Sequence, residues 1–196
     1  EKAAFAQLRV KRIEEIEGDE EKMAIYNKFV NELQMPKNYT EGGETKHGIE
    51  YYLPNDIYQQ PIHHQAVAAD IIKSRGQLSK NDKFHGILAT QNIPEAIAYY
   101  KLFKAQHPSL NVVTVFDNNI DNSNEGIAKE DALLEILKDY NDKYHTSFQL
   151  STYAKYKKDV AKRLAHKKPY LGIEHDHNQQ IDLLIVVTQM LTGYDS

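Results

Sequence analysis

"KFHGILATQNIPEAIAYYKLFKAQHPSLNVVTVF", Lys83 to Phe116, reads as strand, helix and strand in succession. Lys83 to Thr90 is a short apolar run that ends in a polar turn. Ile93 to His107 repeats apolar residues at helical spacing with Pro94 in its first turn, and Leu110 to Phe116 is rich in β-branched residues. Alternation of this kind predicts a parallel sheet covered by helices, an α/β domain.

The pattern continues downstream. A polar loop, Asp117 to Gly126, precedes two helices, Lys129 to Tyr144 and Ser151 to His166. The polar loop "GIEHDHNQQ" follows, and then the apolar run Leu183 to Val187, with Ile181 across Asp182, supplies a third buried strand. Upstream, Ile62 to Arg75 is helical, with Gly76 placed to cap it. Lys37 to Pro61 is rich in Asn, Gly, Thr and Pro and is expected to be a loop with at most one extended piece, Ile49 to Leu53. Phe5, Leu8, Ile13 and Ile16, then Met23, Tyr26, Phe29, Val30 and Leu33, place helices at the start, closed by Pro36. The expected organisation is a helical connector, residues 1–80, and an α/β domain, residues 81–196, with the 37–61 loop as a candidate boundary. No internal repeat or low-complexity tract interrupts it.

Composition bounds the function. A formal net charge of -4 and a pI near 6.1 exclude a uniformly basic nucleic-acid binder while leaving room for a local basic face. The absence of cysteine excludes a disulfide framework and thiolate metal sites, and fits the reducing cytoplasm, the expected location. No signal peptide or membrane-length apolar run is present. The chain starts without Met and is expected to be a piece of a longer protein.

In open parallel sheets, ligands gather at the carboxyl ends of the strands. Three such ends carry polar residues: Thr90-Gln91-Asn92, Asp117-Asn118-Asn119, and Thr188-Gln189 with Thr192-Gly193-Tyr194-Asp195. At the first, helix-start amides with Thr90 and Gln91 suit a phosphate, although Thr90 or Asn92 also suits a plain helix cap. The last combines a backbone turn at Gly193 with the Asp195 carboxylate; its alternative is an ordinary strand-to-helix turn. Lys155, Lys157, Lys158, Lys162, Arg163, Lys167 and Lys168 are opposed within their run only by Asp159, which makes a solvated basic face or the border of a nucleic-acid site. His63-His64 and His175-Asp176-His177 are weak metal candidates, because adjacent side chains on a helix diverge and the second group lies in a polar loop.

The segments "KFHGILATQNIPEAIAYYKLFK" (Lys83 to Lys104), "VAKRLAHKK" (Val160 to Lys168) and "LLIVVTQMLTGYDS" (Leu183 to Ser196) resemble the motor (R) subunit of type I restriction-modification enzymes. The first looks like motif IV and the last like motif V of superfamily 2 motors. The resemblance runs from about Ile57 to Ser196. It departs at Thr188, where this family often has Asp.

The resemblance implies a RecA-like parallel sheet flanked by helices, the second of two motor domains, cut after motif V. It implies ATP and Mg²⁺ for the longer protein, with Gly193 and Asp195 toward the nucleotide. It also implies double-stranded DNA along Thr90, Gln91, Gln189 and Thr192, with Lys158, Lys162 and Arg163 on the basic face. The partners implied are the methyltransferase and specificity subunits, and the activity is ATP-driven DNA translocation with endonucleolytic cleavage. The chain lacks a G-x-x-x-x-G-K-[ST] phosphate loop and an Asp-Glu pair beside one, so by itself it is expected to be inactive. The alternatives are the second motor domain of another superfamily 2 translocase or helicase, and a non-enzymatic nucleic-acid interaction module.

Overall fold

The computed structural model describes residues 1–54, 57–80, 83–116 and 126–187. The chain divides into two compact units, Glu1–Gln60 and Pro61–Ser196.

In the first unit, α1 (Lys2–Leu8) ends at Arg9 in the left-handed conformation, and α2 (Glu20–Asn31) begins at Asp19, whose carboxylate accepts from the Lys22 amide at 3.1 Å. Ala3, Ala4, Ile16, Tyr26 and Phe29 form its core. The expected loop differs in two places. Asn38–Glu41 (β1) and Glu44–His47 (β2) pair as an antiparallel hairpin closed by Gly42 and Gly43, both at positive φ, which a two-residue turn requires. The strands are polar and almost wholly exposed, so no apolar alternation announces them. Ile49–Tyr52, expected to be extended, is a short 3₁₀ turn.

The second unit opens with α3 (Pro61–Leu78), which runs through Gly76 instead of ending there and packs on α4, within the α/β unit and not in a separate connector. Then follow β3 (Gly86–Thr90), α4 (Ile93–Gln106), β4 (Val112–Val115), α5 (Gly126–Tyr144), α6 (Tyr153–Leu164) and β5 (Leu183–Val187). Among the described residues the sheet is parallel throughout, in the order β3-β5-β4, with Leu183 opposite both Gly86 and Val112. The last strand therefore lies in the middle, buried at every position, as its unbroken apolar run predicts. The strand expected from Lys83 starts only at Gly86.

Tyrosines close the outer edge of β4. The Tyr156 hydroxyl donates to the Thr114 carbonyl at 2.9 Å, while the Tyr153 hydroxyl donates to the Phe116 carbonyl and accepts from the Phe116 amide. A sheet edge that would otherwise offer unpaired backbone groups is thereby satisfied by α6. Asp182 fixes the entry to β5: its Oδ1 accepts from Arg75 at 2.6 Å and its Oδ2 accepts from the Asn111 amide at 2.8 Å, tying α3 to the starts of β4 and β5.

Burial shifts the phenols of this unit. Tyr99 and Tyr170 are pushed up to about 12, first by burial and then by the neighbouring carboxylates Glu95 and Asp159; burial raises Tyr100, Tyr140, Tyr144 and Tyr156 further. An exposed phenol ionises near 10, so the unfolded chain loses these protons first. Stability is fully present below pH about 10 and drains as pH rises through 12 and beyond. In an alkaline titration the tyrosinate absorbance of these residues is expected to rise late and together with loss of helical circular dichroism. Ionisation near 10 with the helices intact would contradict it.

Candidate nucleic-acid interface

Of the three strand ends singled out from the sequence, one lies within the described residues. Asp117, Asn118, Asn119, Thr188, Gln189, Thr192, Gly193 and Asp195 lie outside them. At the β3–α4 turn, Asn92 caps α4: its Oδ1 accepts from the Glu95 amide at 2.9 Å, and Pro94 occupies the first turn. Capping by Asn92 thus accounts for one of the two residues weighed for it. Thr90 is buried, and its hydroxyl reaches inward to the Val186 carbonyl of β5 at 3.1 Å. Gln91 is exposed, and its amide donates to Glu95 Oε2 at 2.7 Å. The carboxylate of Glu95, which sequence reasoning passed over, therefore occupies the place at which an anion would meet the helix start.

α6 carries the basic run from the carboxyl end of β4, where Tyr153 meets Phe116, back toward the entry of β5. Its buried stripe is Tyr153, Tyr156, Val160 and Arg163. Lys155, Lys158 and Lys162 are exposed, three and four residues apart on one face, with Lys167 and Lys168 beyond. Asp159, the acid within the run, turns inward and accepts from the hydroxyls of Tyr140, at 2.8 Å, and Tyr170. The outward face is left cationic.

Arg163 departs from the sequence expectation of a solvated face. It is 2% exposed, with its guanidinium 3.9 Å from the Tyr144 ring centroid and 4.1 Å from that of Tyr170. Nη1 donates to the carbonyl and the side-chain oxygen of Gln179, and Nε donates to the Tyr140 hydroxyl. The structure thus brings Lys158 and Lys162 together and removes Arg163 from their surface. A signal for this was available, since Arg163 continues the 153, 156, 160 spacing of the buried stripe.

Among the described residues, no group of three or more His, Asp or Glu side chains could hold a metal ion, and no helix is long and apolar enough to cross a membrane. His175 and His177 instead lie near Glu174 and Asp182, at 3.7 Å each.

Among the described residues, the fold and this surface define an α/β domain with a three-stranded parallel sheet, a capped strand end and a cationic helix. Residues 82–196 match the family model described as type I restriction enzyme subunit R domain 3, and the chain belongs to that family. It is 28% identical over 168 residues to the type I restriction enzyme SauCOLORF180P endonuclease subunit of Staphylococcus aureus (strain COL), covering 82% of this chain and 17% of the relative. It is 29% identical over 178 residues to the type I restriction enzyme SsaAORF53P endonuclease subunit of Staphylococcus saprophyticus, covering 86% of this chain and 18% of the relative. The chain thus spans less than a fifth of the length of either relative.

Proposed function

We propose that this chain supplies part of the second RecA-like motor domain of a type I restriction R subunit. That subunit pulls double-stranded DNA in an ATP-dependent manner and cleaves it, in the cytoplasm, alongside methyltransferase and specificity subunits. The observation that carries the DNA side of this reading is the uniform sign of the α6 surface: Lys155, Lys158 and Lys162 point outward while Asp159 is engaged by two tyrosines. Lysines spread over roughly 10 Å of helix meet phosphates as point charges, giving affinity without sequence preference.

ATP and Mg²⁺ belong to the whole subunit on this reading. The resemblance assigns Gly193 and Asp195 to nucleotide binding and Gln189 and Thr192 to DNA binding. On this reading the chain, whose sequence has no G-x-x-x-x-G-K-[ST] segment, grips DNA while nucleotide hydrolysis is the work of the whole subunit.

The test is a duplex titration across salt concentrations with the full-length subunit. Replacing Lys155, Lys158 and Lys162 together by Ala is expected to weaken binding on all sequences alike and to flatten the plot of log affinity against log salt by roughly three. An unchanged slope, in a variant with an unchanged melt, would remove α6 from the interface.

A further inference from the structure

The geometry points to Glu95 as a built-in stand-in for a DNA backbone phosphate at the β3–α4 turn, one that moves onto His64 when the phosphate takes its place. The inference rests on the proposed DNA-gripping role, together with the DNA-side placement that the resemblance implies for Gln91, and adds to them a regulated, self-occupied anion seat.

The seat has the parts an oxyanion needs. The Gln91 amide points into it, the first turn of α4 contributes its positive dipole end, and Asn92 holds that turn in place. It is filled by the Glu95 carboxylate, whose side chain is only 15% exposed and whose Oε2 is 2.7 Å from the Gln91 nitrogen. An acidic side chain in such a place satisfies the amide when no ligand is present and repels a phosphate that approaches.

Behind it, on α3, is a second place for the same carboxylate. The His64 side chain is 10% exposed, its ring centroid is 4.6 Å from that of Tyr99, and its Nε2 is buried with no hydrogen-bond partner among the described residues. Glu95 Oε1 lies 3.9 Å from that nitrogen, too far for a hydrogen bond but within about 1 Å of one. A buried ring nitrogen left unsatisfied is costly. With the His64 proton on Nε2, a small rotation of Glu95 gives that N–H an acceptor and frees the Gln91 amide in one movement. Phosphate entry, carboxylate withdrawal and satisfaction of His64 are therefore coupled, and His64 acts as a positioning residue.

The experiment is duplex titration at fixed salt with the full-length subunit, each variant accompanied by a thermal melt. Glu95→Gln removes the competing charge and is expected to tighten binding about fivefold. Glu95→Asp, which keeps the charge but falls short of Gln91, tightens it less and stands in should Glu95→Gln fold poorly. His64→Leu strands the carboxylate at the amide and weakens binding, an effect that vanishes in the Glu95→Gln background because nothing is left to withdraw. Unchanged or weaker binding by both folded Glu95 variants overturns the stand-in. If the α6 lysine variant still weakens binding, that result leaves the DNA reading intact. If the lysine variant also has no effect, the DNA reading itself falls.

Discussion

Arg163→Ala is expected to destabilise the α/β unit by about 3 to 4 kcal/mol, the largest loss from any residue of the basic run. Three costs combine. The Tyr144 and Tyr170 rings, 3.9 and 4.1 Å from the guanidinium, would flank a void, since the small Ala side chain cannot fill the gap between them. The Gln179 carbonyl and side-chain oxygen would each lose a donor in a part-buried place, and the Tyr140 hydroxyl would keep only its bond to Asp159. The link between α6 and the 3₁₀ turn that leads into β5 would also be cut. Arg163→Lys is expected to recover less than half, because an ammonium is a point charge that can neither stack flat between two rings nor donate in a fork. Denaturant unfolding reads the loss. Duplex affinity per folded molecule should be untouched, in contrast to the Lys158 and Lys162 changes, and a stable Arg163→Ala protein with weakened DNA binding would return this side chain to the surface.

Asp182→Ala is expected to cost about 3 kcal/mol, for a different reason. The carboxylate is 3% exposed and answers the Arg75 guanidinium and the Asn111 amide at once, with His177 Nδ1 3.7 Å away. Its removal leaves a buried backbone donor unpaired at the start of β4 and takes one carboxylate away from a part-buried guanidinium. Asp182→Asn keeps an acceptor for Asn111 and should cost roughly half as much. Because Arg75 and Asp182 act as a pair, the double change Arg75→Ala with Asp182→Ala should cost less than the sum of the singles. Additive losses in denaturant unfolding would show that the two do not stabilise one another.

The two residues illustrate how the sequence can mislead about charge. Asp182 interrupts an apolar stretch between Ile181 and Leu183, a position that marks it as buried, but its partners are 71 and 107 positions away in sequence. Arg163 sits among lysines and reads as one more surface cation, although its spacing from Tyr153, Tyr156 and Val160 places it on the inward stripe. The same is true of the turn after β3. Asn92 and Pro94 announce the helix start, whereas the meeting of Glu95 with His64 depends on α3 packing against α4.

By itself the sequence determined the strand-helix-strand alternation from Lys83 onward, the parallel sense of the sheet, the helices α4 and α6 to within a few residues, and the resemblance that the family match bears out. These follow from local periodicity and short motifs, in which each residue's neighbours along the chain carry the signal. Only the tertiary structure decided that β5 lies between β3 and β4, that α3 belongs to the α/β unit, and that a polar hairpin stands where a loop was expected. It also decided which cations face outward. Strand order and burial of charge are set by which distant segments satisfy one another's backbone groups and counter-charges, and that pairing is a property of contacts across the fold rather than of any window of sequence.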